Sequence, residues 1–175
     1  MLFRSRHLVV KEEEGDSYPK LSLVASYFPN LRELQWGSEG ISDDAIEMGR
    51  TLALSDANYS LVASTWQSLH RLHCPPRKVY RLAFPCKVHI WEGVSLFGDR
   101  DLQYFRAALG DIRPSVVDME FTGFFSLAGL ASCFPKSGIQ HLRMSMNISY
   151  TSNVHEILVR FYCLGKVTML SVSVC

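Results

Sequence analysis

The feature that most constrains this chain is a unit that recurs along it. A helical apolar pattern is broken by proline or glycine and followed by apolar residues at relative positions 1, 4 and 6. Leu21 to Phe28 leads through Pro29-Asn30 into Leu31-Arg-Glu-Leu34-Gln-Trp36. Leu61 to Trp66 leads into Leu69-His-Arg-Leu72-His-Cys74. Leu102 to Leu109 leads through Arg113-Pro114 into Val116-Val-Asp-Met119-Glu-Phe121. Leu127 to Phe134 leads, after Pro135, into Ile139-Gln-His-Leu142-Arg-Met144. Val154 to Tyr162 leads through Gly165 into Val167-Thr-Met-Leu170-Ser-Val172. Proline disfavours helix at the residue before it, which ends each helical stretch it follows. Alternate side chains of a strand share a face, so positions 4 and 6 enter one core. Position 1 reaches that core from the preceding turn.

The last two strands continue to Asn147 and Cys175 and fit the pattern L-x-x-L-x-L-x-x-N/C, with Ile, Val and Met standing for Leu. No such unit buries its apolar face alone, so neighbours must stack. The expected fold is therefore α/β, an irregular leucine-rich-repeat-like solenoid of helix–strand units with a parallel sheet on one face. It reads as incomplete or uncapped. One domain is expected over residues 21–175, preceded by a charged arm or loop over residues 1–20. The units start at 31, 69, 116, 139 and 167, with separations of 38, 47, 23 and 28 residues. Two separations exceed the usual ~20–29 residues. The longer holds a further candidate strand, Cys86 to Trp91, with Val88 and Ile90 on one side. The shorter holds a helical pattern from Asp43 to Leu54, with Ser42 as N-cap. An ordinary parallel α/β sheet would also accommodate this alternation.

The blocks Phe28-Pro-Asn-Leu-Arg-Glu-Leu34, Trp66-Gln-Ser-Leu-His-Arg-Leu72, Ile112 to Met119 and Gly138-Ile-Gln-His-Leu-Arg-Met144 resemble divergent leucine-rich-repeat proteins of the F-box type, as found in fungi. The resemblance covers residues 21–175. It implies the substrate-recognition part of a cullin-type ubiquitin-ligase receptor, in which the repeats bind the protein to be ubiquitinated. The F-box itself, about forty helical residues that bind the ligase adaptor, is not present in the sequence. Adaptor binding is expected only if an upstream F-box exists.

Composition excludes little else. Lys plus Arg is 18 against 17 Asp plus Glu, a balance without global attraction for nucleic acid or anionic membrane. No stretch reaches the ~18 apolar residues of a membrane span, and the N-terminal apolar run is too short for a signal peptide. Five irregularly spaced cysteines, Cys74, Cys86, Cys133, Cys163 and Cys175, argue for a reduced protein. An intracellular location, cytoplasmic or nuclear, is the expectation.

Chemistry-bearing patterns are sparse. There is no G-x-S-x-G and no phosphate-binding glycine loop, so no catalytic residue and no cofactor are expected. His70, His73 and Cys74 with Cys86 and His89 offer zinc-ligand types, but adjacent strand residues point to opposite faces, and no metal is expected. Arg71, Arg77, Lys78, Arg81 and Lys87, interleaved with Tyr80, Phe84 and Trp91, are the residue types that hold single-stranded nucleic acid. Nucleic-acid binding over residues 70–91 is one alternative function, though nucleic acid is not the expected partner. A small hydrolase-like α/β enzyme using His73, His89 and Asp118 is another.

The leading expectation is a non-enzymatic protein-binding module acting through the outward face of the sheet. Its candidate contact residues are Glu33, Gln35, Arg71, His73, His89, Trp91, Asp118, Glu120, His141 and Arg143, with Lys87, Met169 and Ser171 on the same face. Trp91 would be the anchor, because tryptophan is enriched among interface hot spots. The apolar strand from Val167 to Cys175 would leave an edge open to self-association.

Overall fold

The computed structural model describes residues 4–11, 20–37, 43–56, 59–121, 127–134, 139–146 and 169–174. Strands and helices alternate in chain order: β1 (His7–Val10), α1 (Leu21–Tyr27), β2 (Glu33–Trp36), α2 (Asp43–Ser55), α3 (Tyr59–Thr65), β3 (Ser68–His73) and α4 (Pro76–Leu82). There follow β4 (Lys87–Leu96), α5 (Asp99–Ile112), β5 (Val116–Phe121), α6 (Leu127–Cys133), β6 (His141–Met146) and β7 (Met169–Val174). The strands form one seven-stranded sheet in the order of the sequence, and every pairing is parallel. The fold is thus α/β with a parallel sheet.

Local chemistry explains the helices. In α5, Asp99 and Asp101 occupy the first turn, where carboxylates suit the helix dipole. Leu102, Phe105, Ala108, Leu109 and Ile112 recur at helical spacing and are all buried. The helix ends at Arg113 in the left-handed conformation, one residue before Pro114. Pro76 starts α4 at a position where its missing N–H is not needed, and Ala83 ends the helix in the left-handed conformation.

The register aligns the apolar positions of successive strands into rows. Leu34, Leu72, Trp91, Val117 and Leu142 lie side by side in β2 to β6, all buried. Val94, Met119 and Met144 form the next buried row, and Trp36 and Cys74 are buried one residue past the paired Gln35 and His73. Leu31, Leu69, Val88, Pro114 and Ile139, three residues ahead of the first row, are buried as well. Units therefore start at 31, 69, 88, 114 and 139, a more even series than the sequence pattern suggests.

Two expected frames are corrected here. In β4 the inward residues are Val88 and Trp91, while Ile90 is half-exposed on the other side. In β5 the inward residues are Val117 and Met119, so the unit begins at Pro114 instead of Val116. Runs of consecutive apolar residues, such as Val116-Val117, leave the face undetermined until a neighbouring strand fixes it.

Residues expected to be a charged arm also change role in part. His7–Val10 pair with Glu33–Trp36 as an added strand, because Leu8 and Val10 continue the two buried rows past Leu34 and Trp36. Ser42, Asn147, Cys175 and the helical pattern from Val154 to Tyr162 lie outside the described residues.

The helices pack against one another, α1 on α3, α2 on α4, α4 on α5 and α5 on α6, with α4 and α5 also touching β4. Charged side chains join three of them. Arg77 on α4 donates from Nε to Asp101 of α5 at 2.6 Å, and Arg77 and Arg100 both reach Asp43 of α2. Arg50 of α2 donates to Asp111 of α5 at 2.9 Å and lies over the Tyr80 ring. Gly49 gives α2 this close approach, since a Cβ there would sit 2.6 Å from Arg81 Cγ. Among the described residues no helix is long and apolar enough to cross a membrane.

Candidate functional site: the open face of the sheet

Between the buried rows, the intervening strand residues emerge on the other face of the sheet. The register orders them. One row runs His7, Glu33, Arg71, Ile90, Val116 and His141, with Met169 at the next register position. The following row runs Val9, Gln35, His73 and Glu92, then Asp118 and Arg143, with Ser171 next in register. Gln35, Arg71, His73, Glu120 and Arg143 are exposed, and Glu33, Asp118 and His141 are half-exposed.

Neighbouring strands pair opposite charges across this face. His7 Nδ1 is 3.2 Å from Glu33 Oε2, Arg71 Nε is 3.6 Å from Glu92 Oε1, and Arg143 is 4.0 Å from Asp118. Such exposed pairs contribute about 0–1 kcal/mol each. Their significance lies in fixing a mixed charge pattern on a surface held by backbone ladders.

A bulge in β4 shapes the centre of the face. The register shifts between Trp91 and Val94, where Gly93 has φ of +72°. The His73 ring lies against Gly93, at 3.0 Å from where a Cβ would stand. Only glycine combines that backbone angle with that approach. An isolated glycine inside a strand pattern is the sequence signal for such a bulge. Simple alternation from Val88 turns Ile90 inward and does not place Glu92 beside His73, which is why the residues that complete the rows are not evident from the strand pattern.

Trp91 is the clear correction to the expected contact residues. It is 0% exposed, its ring is 5.5 Å from that of Phe105, and its indole N–H donates to the Cys74 carbonyl at 2.8 Å. It belongs to the core and cannot anchor a partner. His89 is exposed but sits at the N-terminal edge of the sheet, stacked on His70 with centroids 5.5 Å apart. His73, His89 and Asp118 therefore do not converge on one pocket: they stand on three strands, with Glu92 between His73 and Asp118 in one row and His89 outside that row at the sheet edge.

The basic and aromatic cluster over residues 71–91 is dispersed as well. Lys78, Arg81, Phe84 and Trp91 are buried, and Arg77 is engaged by Asp101 and Asp43. Lys78 packs its ammonium over the Trp36 ring at 5.4 Å. The described residues contain no group of three or more His, Cys, Asp or Glu side chains arranged to hold a metal. Cys74 lies in the core while its neighbour His73 faces outward. Burial pushes the Cys86 thiol up to about 12 and raises that of Cys133, so both are poor nucleophiles near neutral pH. Cys163 lies outside the described residues.

No protein-family model matches this chain, and neither the curated proteins nor the solved structures contain a match.

Proposed function

We propose that this chain is a non-enzymatic protein-interaction module that binds its partner on the open face of the parallel sheet. The observation that carries the reading is the sheet with helices packed along it and ordered rows of exposed and half-exposed side chains, mostly charged or polar, on its other face. Parallel sheets are ordinarily covered on both faces. The arrangement in which one face stays open is the stacked-repeat solenoid, which uses that extended surface for binding. The sequential strand order and the aligned buried rows support reading the fold as an irregular leucine-rich-repeat-like solenoid. The resemblance of residues 21–175 to F-box-type repeat proteins supports the further reading, that the partner is a protein presented to a ubiquitin ligase. Mixed charge along the rows suits selection among partners more than raw affinity.

The test compares the wild-type chain with an Arg71→Glu/Arg143→Glu variant on the open face and an Arg100→Glu variant on α5. A protein captured by the wild type and re-purified should bind the Arg100 variant equally and the face variant at least tenfold more weakly. Equal binding to all three, or no direct binding between purified components, overturns the proposal. The ligase part is tested apart from this, by asking whether the product of the complete transcript co-purifies with the ligase adaptor.

A further inference from the structure

At the N-terminal edge of β1 to β4 lies a cavity of about 750 Å³ whose lining includes the arginines Arg4, Arg6 and Arg32 and the imidazoles of His70 and His89. All five are exposed. Four of them form a single row across the sheet. The Arg6 carbonyl accepts the Arg32 and Glu33 N–H groups, and the Arg32 carbonyl accepts those of His70 and Arg71. The β3–β4 register then sets His70 beside His89. Adjacent strands are ~4.8 Å apart, so basic side chains recur at that spacing over ~14 Å.

Arg6 and Arg32 stand directly opposite one another, and like charges so placed on neighbouring strands are unfavourable. Nothing among the described residues offsets them in this row. Among the described residues no carboxylate lines the cavity, and Arg4, Arg6 and Arg32 make no ion pair there. The acids one row further on are taken, Glu33 by His7 and Glu92 by Arg71. The contrast with the open face is plain: there, acidic side chains have basic neighbours, and here only basic side chains meet.

We propose that this cavity binds an acidic stretch of a protein partner, through anionic side chains laid across the strands. A row ~14 Å long matches about four residues of extended peptide. Guanidinium groups present paired donors that suit carboxylate or phosphate oxygens, and imidazoles add a donor each. Nucleic acid is the less favoured polyanion, because among the described residues no exposed Phe, Tyr or Trp ring lines the cavity as a stacking platform, and the two imidazoles already stack on each other. The aromatic side chain that lines the cavity, Trp66, is 1% exposed and donates its indole N–H to the Phe28 carbonyl. The proposal deepens the protein-binding reading by naming the chemistry of the partner, at a surface separate from the open-face rows.

The test is fluorescence anisotropy on the full chain with four labelled probes of equal length: an octaglutamate peptide, an octaglutamine peptide, a serine peptide carrying two phosphoserines, and an oligothymidylate. The expected result is saturable binding of the acidic or phosphorylated peptide, at least tenfold tighter than the glutamine peptide and weakened by salt. Arg6→Gln and Arg32→Gln should each reduce it at least threefold, and Arg100→Gln should leave it unchanged. The ratio of the two anionic peptides decides whether carboxylate or phosphoryl groups are the source. Binding indifferent to peptide charge, affinity unaltered in both arginine variants, or preference for the oligothymidylate overturns the proposal. Thermal melts guard against unfolding: relieving like-charge repulsion should hold or raise the midpoint in both variants, and a fall in both would make the row structural. If open-face variants still abolish partner capture while the peptides fail to bind, this inference alone is lost.

Discussion

Trp91 shows how a single residue can be misplaced by a strand pattern and what the core gains from it. With Val88, Ile90 and Trp91 close together, period-two alternation from Val88 sends the tryptophan outward. The structure places Trp91 inward beside Leu72 and Val117. Its indole donates to the Cys74 carbonyl across the β3–β4 boundary. Trp91→Phe keeps an aromatic ring but removes that donor, and should destabilise the chain by about 1–3 kcal/mol. Urea unfolding would show this as a lower midpoint at unchanged slope. Cys86 gives a second residue-scale expectation. Burial raises its folded pKa to about 12, above the ordinary thiol value. Ionisation therefore favours the unfolded chain: the thiol's contribution is fully present below the unfolded pKa and is lost as pH rises toward 12. Stability should fall across pH 9–12, and the fall should shrink in Cys86→Ala. Native Cys86 should also resist iodoacetamide at pH 8 and react once the chain is unfolded.

At the scale of elements, most of the architecture was legible in the sequence. The repeated breaks at Pro29, Pro114 and Pro135 mark where helical patterns give way to strand patterns, and the strands around Leu34, Leu72 and Leu142 were read in the right frame. Three things were not legible. β1 has only three apolar residues, and its pairing depends on the edge that β2 presents. β4 contains a bulge, which defeats simple alternation. In β5, Val116 and Val117 are interchangeable until Trp91 and Leu142 set the register. The outward face follows accordingly: Arg71, His73, Asp118 and Arg143 emerge on it as the alternation implies, Trp91 does not, and Glu92 emerges where the alternation does not place it. Two element-scale substitutions test these features. Gly93→Ala should destabilise by about 1–3 kcal/mol, through the positive φ and the crowding of His73. Adding His73→Ala should restore only the crowding part, which a double-mutant cycle in urea would separate. Arg113, exposed and with φ of 45° at the end of α5, is a position where glycine fits better. Arg113→Gly should stabilise by about 0.5–1 kcal/mol, after the added freedom of the unfolded chain is allowed for.

At the scale of the molecule, each strand pairs only with its neighbours in sequence, so cohesion passes from one unit to the next. The Arg50–Asp111 and Arg77–Asp101 contacts bind α2, α4 and α5 into the middle of that succession. The three tryptophans of the chain, at 36, 66 and 91, are all fully buried and all lie between β2 and β4. This uneven placement has an optical consequence. Native emission should be blue-shifted, and its change on denaturation should follow the β2–β4 half alone, whereas far-ultraviolet circular dichroism averages over every unit. If the whole sheet melts in concert, the two signals should coincide across a urea titration. If outer units release first, dichroism should fall while emission stays blue. The chain thus carries an internal reporter for whether its units come apart together or in turn.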